Sequence, residues 1–176
     1  MKLSALFFPL AAVSAVPSVA QPIADPIVNP AAAATQAMPY LAVAGMSDVF
    51  EITSSQIALQ RSANPKVRQF AEMLIAHHSQ TTNATLVAAK ASGVLPPPPV
   101  LDAQRRAQID ELYAAAPAAF DRVYLSQQIP SHELALALQQ GYAANGDKAP
   151  LRAHARTAIP VVEGHLTEAR TLLNTL

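Results

Sequence analysis

The sequence predicts an all-α protein: a bundle of four long helices, with a shorter helix before the third. Three observations predict it. Apolar residues recur with a 3.6-residue period over stretches far longer than strands. Hydrophobic residues make up 51%, many of them alanine, and there are only five glycines, a balance that favours helices over sheets. Capping and breaking signals divide the chain into pieces of helix length.

Residues 1–20 have the layout of a secretory signal. Lys2 supplies the positive start, the run from Leu3 to Val13 is apolar apart from Ser4 and Pro9, and Ser18-Val19-Ala20 is a small-x-small cleavage site before Gln21. The apolar run is too short to span a bilayer, and no other stretch could cross one as a helix. The mature protein then begins near Gln21 and is exported to the periplasm or cell envelope. Residues 21–36 carry Pro22, Pro26, Pro30 and an alanine run. They read as a disordered or extended linker, which leaves 37–176 as the bundle domain.

The first long helix should run from about Pro39 to Ser62. Phe50, Ser54, Ile57 and Ala58 share a face, and Glu51 and Ser55 run alongside it, so Glu51 stands at the border of the buried side. The second helix has the strongest boundary signals. Asn64 caps the orphan N–H groups, and Pro65 takes the first helical position, where its missing N–H costs nothing. Gly93 and the run Pro96 to Pro99 end it. Its stripe reads Val67, Ala71, Leu74, His78, Thr82, Leu86, Ala89. His78 therefore lies in the core seam, and His77 about 100° round the axis, nearer the edge.

Leu101 to about Ala115 is the short helix, with Asp102 as its cap. Ala107, Ile109 and Leu112 are its core positions, and Arg105, Arg106, Asp110 and Glu111 its solvated face. The third long helix runs from Phe120 to about Ala144, on the seam Leu125, Gln128, His132, Ala135, Gln139. Pro130 inside it predicts a kink. Gly146-Asp147 turns the chain into the last helix, whose seam is the clearest: Leu151, Ala155, Ala158, Val162, His165, Ala169, Leu172, Leu176. Only His165 breaks its apolarity. Pro160 predicts a second kink, and His154 is left to the surface.

Twelve basic and twelve acidic residues give zero formal charge. There is thus no electrostatic case for nucleic acid or an anionic membrane. The absence of cysteine excludes disulfides, iron–sulfur clusters, thiolate zinc sites and a lipidated N-terminal cysteine. A metal site would have to use histidine, carboxylate, tyrosine, methionine or water.

Short turns at 63–64 and 145–147 make each flanking helix pair antiparallel. At about 1.5 Å per residue, Glu51 and His78 lie roughly 17 and 20 Å from the first turn, and His132 and His165 roughly 20 and 28 Å from the second. One polar, metal-competent residue per helix therefore falls near mid-bundle. Burying three imidazoles and a carboxylate without partners costs on the order of several kcal/mol. Either they satisfy one another, or one ion satisfies all four. Zinc, copper and iron accept imidazole, whereas magnesium and calcium do not fit. Asp121 and Tyr124, with Ser55 opposite, sit where they would support the four from behind. Ser131 adjoins His132, but neighbours on a helix diverge by about 100°, which is wrong for a nucleophile and its base. No catalytic residue is nominated.

Several pieces occur together and in order: Phe50-Glu51-Ile-x-Ser-Ser55-Gln-x-Ala58, then Asn64-Pro-x-Val67-x-x-Phe70-Ala71 with His78. Phe120-Asp121-x-x-Tyr124 with His132 follows, then Ile159-Pro160 with His165-Leu166-x-x-Ala169. The chain, from about Met38 to Leu173, resembles the exported bacterial ferritin-like family called domain of unknown function 4142, often labelled predicted outer-membrane protein. The resemblance implies a ferritin-like up-down four-helix bundle. It carries over Glu51, His78, His132 and His165 as the polar residues of interest, with Asp121 and Tyr124 beside them, and brings no settled activity. Nothing in the chain looks like barrel strands. The di-iron ferritin pattern needs Glu-x-x-His, but Glu72 is six residues before His78 and Glu163 two before His165. One carboxylate with three histidines suits a single ion, so ferroxidase chemistry and iron storage are not expected.

The expectation is an exported bundle that binds one transition-metal ion (zinc, copper or iron) through Glu51, His78, His132 and His165, acting in metal handling or envelope stress. The alternative is a non-catalytic envelope interaction module. Its histidines would form a structural polar core, and the arm Gln21 to Pro30 or the loop Pro96 to Pro99 would dock a protein partner.

Overall fold

The computed structural model describes residues 29–176; the signal at 1–20 and the linker as far as 28 lie outside the described residues. Six helices follow: α1 Pro30–Ala33, α2 Ala37–Arg61, α3 Pro65–Ala91, α4 Ala103–Ala114, α5 Phe120–Asn145 and α6 Ala149–Asn174. No helix among the described residues is long and apolar enough to cross a membrane.

The end of the linker departs from the expected extended form. Asn29 caps α1 by accepting from the N–H groups of Ala31 and Ala32, with Pro30 at the first position. Ala33 is buried, and a Cβ built on Gly141 would stand 3.1 Å from the Ala34 Cβ. The alanine run is small enough to pack against α2 and to approach α5 at Gly141.

The long helices form a ring in the order α2, α3, α6, α5. Tyr40 near the start of α2 donates to Gln139 near the end of α5 at 2.8 Å, and Ser55 meets Tyr124 near the start of α5 at 2.9 Å. Thr85 late in α3 meets His154 early in α6 at 2.8 Å. Neighbours round the ring are therefore antiparallel, while α3 and α5, on a diagonal, run parallel. Residues 92–119 carry the chain back along the bundle to make this possible. The proline run crosses α2 at Gly45, where an added Cβ would stand 3.1 Å from the Pro99 Cβ. Helix α4 then packs on α2 and α5.

Two apolar clusters fill the interior. One holds Phe50, Ile57, Leu74, Leu112, Phe120, Tyr124 and Leu172. The other holds Tyr40, Leu41, Ala89, Tyr142, Leu151 and Ala155. Along α3, α5 and α6 a buried histidine lies between the two clusters. The α3 seam departs from the expected stripe at Leu86 and returns to it at Ala89, which is buried. Thr85 and Ala88 are buried, whereas Leu86 is 49% exposed. A stripe stepped four residues at a time overshoots; a supercoiled bundle keeps its seam at 3.5 residues per turn. In α4, Ile109 and Leu112 are buried but Ala107 is exposed, and Arg105 lies over the Phe50 ring.

Arg61 fastens the crossover. Its guanidinium donates to the carbonyls of Leu112, Tyr113 and Ala115 at the end of α4, and it lies 5.1 Å from the Phe120 ring centroid. Those carbonyls have no helical partner of their own. Arg61→Met, which keeps the stem and removes the fork, should lower unfolding free energy by about 2–3 kcal/mol in urea titrations.

Candidate metal centre

The three seam histidines converge. Ring centroids are 5.8 Å apart for His78 and His132, 5.4 Å for His78 and His165, and 5.2 Å for His132 and His165. One nitrogen from each lies within 4.8 Å of the others, and all three residues are buried. Counted from the expected turn, His165 lies about one to two helical turns beyond the level of His132, farther than is observed. From the observed helix ends the two are 16 and 13 residues in (149 to 165, and 132 to 145), or about 24 and 20 Å. Side-chain length covers that remainder.

Hydrogen bonds decide which nitrogens are free. His132 Nδ1 lies 2.9 Å from the Gln128 carbonyl oxygen. A carbonyl only accepts, so Nδ1 carries the proton and Nε2 a lone pair. His78 Nδ1 lies 2.8 Å from Asp48 Oδ1, and the other Asp48 oxygen accepts from Thr82 at 2.8 Å. By the same logic neutral His78 presents a lone pair at Nε2. His165 Nε2 meets His77 Nδ1 at 2.8 Å. The remaining atoms, His78 Nε2, His132 Nε2 and His165 Nδ1, are buried without a hydrogen-bond partner.

Glu51 stands at the edge of this trio, 1% exposed. Its Oε1 accepts from Ser131 at 2.5 Å and lies 3.9 Å from His132 Nδ1, while its Oε2 is buried and unpartnered. It meets the cluster through His132, and is not among the group whose ligand atoms are mutually close. Ser55 and Tyr124 bond each other, at the end of the bundle where Phe70 and Phe120 pack on the Tyr124 ring. Burial holds the Tyr124 phenol far above its usual range, against the pull of the Ser55 bond. It therefore stays protonated. Asp121 Oδ1 is buried without a partner.

Sequence reasoning missed Asp48 and Ser131 as partners and set His77 aside. Asp48 precedes Glu51 by three residues and Thr82 follows His78 by four, spacings that place each pair on one helix face. That pairing was the available signal. His77 is half-buried, and its ring stacks on His165 at 5.1 Å. His154 is half-buried too, held by Thr85.

Chemically, with its imidazoles neutral the layer has a surplus of acceptors: at least two imidazole lone pairs and a carboxylate oxygen face no donor. Native interiors rarely leave such atoms unpaired, and a cation supplies what they lack. Imidazole nitrogens with an adjacent carboxylate suit a transition metal, and Asp48 and Gln128 behind the rings supply the orienting bonds such ligands use.

The match to known families agrees with this architecture. The model of the family described as Domain of unknown function (DUF4142) matches residues 24–172. The chain is a DUF4142 protein. No curated protein matches the sequence. Three solved structures share the fold of this DUF4142 chain. CopM in its Cu(II)-bound form gives a TM-score of 0.68 at 15% identity, over 80% of this chain and 97% of that one. CopM in its Cu(I)-bound form gives 0.66 at 15% identity, over 80% and 96%. CopM in its Ag-bound form, by co-crystallization, gives 0.65 at 16% identity, over 80% and 96%.

Burial pushes the His165 imidazole down to about 2, and the neighbouring His132, His78 and His77 add to it. Burial also lowers His78, but its bond to Asp48 and the charges of Glu51 and Asp48 outweigh that and leave it raised. The two act on stability with opposite sign. Below about pH 6.5 the unfolded chain takes up a proton that folded His165 refuses, so its contribution is lost as pH falls. The His78 contribution is complete below about pH 6.5 and is lost as pH rises through its raised value. Urea unfolding of chelator-treated protein at neutral and mildly acidic pH should therefore show opposite effects. Relative to the parent, His165→Gln will lose less stability on acidification and His78→Gln will lose more.

Proposed function

We propose that this chain is an exported copper-handling protein that holds one ion in its bundle core through His78, His132 and His165, with Glu51 as the neighbouring carboxylate. One observation carries the reading: three buried imidazole nitrogens and a buried carboxylate oxygen share one layer and lack hydrogen-bond partners. A purely structural polar layer of the same residues would pair them with one another. Copper is favoured over zinc and iron because the solved structures that share this fold are titled as copper- and silver-bound. Imidazoles accept both copper oxidation states. Export is supported by the signal pattern in residues 1–20. The role is sequestration or delivery of the ion in the cell envelope.

The residues divide the work. His78, His132 and His165 supply lone pairs. Asp48 and the Gln128 carbonyl hold two of the rings by Nδ1 so that Nε2 stays available. Ser131 holds Glu51 beside His132. The two apolar clusters exclude water and limit the ligands to this set.

Elemental analysis of the mature protein, purified from the periplasm without chelator or tag, should find about one copper per chain, absent from a His78→Ala, His165→Ala double variant. A metal-free parent whose melting does not respond to added copper would return the histidines to a structural role and direct attention to a protein partner. Asp48→Asn, which keeps the shape and removes the charge behind His78, should weaken copper affinity by about 10–100-fold in chelator competition while leaving the stoichiometry unchanged.

A further inference from the structure

His165 stands between two compartments. An open groove of about 730 Å³ runs between α3 and α6, lined by Met73, His77, Gly164, His165 and Glu168 among others. His165 also lines the narrow space inside the bundle, together with Asp48 and His78. On the groove side its Nε2 meets His77 Nδ1 at 2.8 Å, and the two rings are stacked with an interplanar angle of 18°. Its Nδ1 is buried without a partner, and its ring lies within 5.4 Å of both His78 and His132. The cleft on the opposite side, about 290 Å³ under Pro96 to Pro99, is lined by none of the histidines. It reaches Asp48, and both Asp48 oxygens are already engaged by His78 and Thr82.

Resting on the copper reading above, we propose that the α3/α6 groove is the ion's way in and out, and that His77 is its first ligand, handing it to His165 and so to the buried trio. The ion takes the place of the proton shared between His77 and His165, and that proton leaves to water in the groove. The ion then passes His165 and is taken up by the three unpartnered nitrogens, His78 Nε2, His132 Nε2 and His165 Nδ1. Met73 and Glu168 offer a soft and a hard donor beside the first ligand. The helix wall is open at Gly164, where an added Cβ would meet nothing within 4 Å. His77 in this account is a relay ligand: it speeds passage in both directions and adds nothing to the affinity of the filled site.

The test is stopped-flow mixing of the full mature chain with Cu(II), followed by quenching of its tyrosine fluorescence; the chain has four tyrosines and no tryptophan. Release is timed by chelator capture. His77→Ala should load and release about tenfold more slowly or worse, with stoichiometry retained and Kd within about twofold of the parent. Gly164→Leu, which improves helix propensity and narrows the groove, should slow both steps in the same way. Circular dichroism and urea unfolding confirm that both variants are folded. Loading at the parent's rate in either variant overturns the entrance and leaves the trio standing. An affinity loss in His77→Ala as large as in His165→Ala overturns the relay, because His77 would then belong to the filled site. A parent chain that takes up no copper overturns the entrance and the copper reading together.

Discussion

Lone pairs outnumber protons at the centre of this bundle, and the remainder of the architecture is arranged around that imbalance. Asp48, Glu51 and three buried histidines occupy one layer, with apolar clusters on either side. In their neutral form two of the imidazoles direct their one N–H at an acceptor behind them, Asp48 for His78 and the Gln128 carbonyl for His132. What remains facing inward is acceptor. Such a layer destabilises a metal-free fold and stabilises a metal-bound one, because an ion that binds only the folded chain adds its binding energy to folding.

Placing that layer requires rigid, correctly registered helices. Asn64 with Pro65 starts α3, and Asn29 with Pro30 starts α1. The bonds from Tyr40 to Gln139 and between Ser55 and Tyr124 pin the two ends of the α2–α5 pair. Arg61 holds the end of α4 against that pair. Pro130 and Pro160 remain inside continuous helices. Ligands carried on helices are held more closely than ligands on loops, and here each of the three imidazoles comes from a different helix.

Much of the site was legible in the sequence because helical periodicity is local. A histidine at a seam position of α3, α5 or α6 must face whatever the seam faces, and His78, His132 and His165 all do. Glu51, at the border of its stripe, is buried as well. Partner choice was not legible. Nothing in the local pattern around Asp48 names a partner, and only its position opposite His78 and Thr82 gives it a role. His77 was assigned to the edge on the 100° rule, which is correct for its own helix. Whether that edge meets solvent or another histidine depends on where α6 lies. The α3 stripe misplaced Leu86, with Thr85 buried in its stead, for a related reason: a step of four residues overshoots the seam, and the step of three to Ala89 returns to it.

Apart from the short α1, which it did not foretell, the sequence by itself determined the four long helices and the short one before the third, their boundaries to within a few residues, and that His78, His132 and His165 point inward. All of these follow from backbone sterics, capping chemistry and a repeat of 3.6 residues. It also determined the ligand chemistry available, since a chain without cysteine must bind metal through nitrogen, oxygen or thioether. Only the tertiary structure decided that the three imidazoles bring one nitrogen each within 4.8 Å of the others, that Asp48 stands behind one of them, and that His165 faces both the bundle interior and an open groove. Those facts depend on the separation and relative rotation of helices distant in sequence. Packing over the full length of the bundle sets both quantities, and no local pattern encodes them.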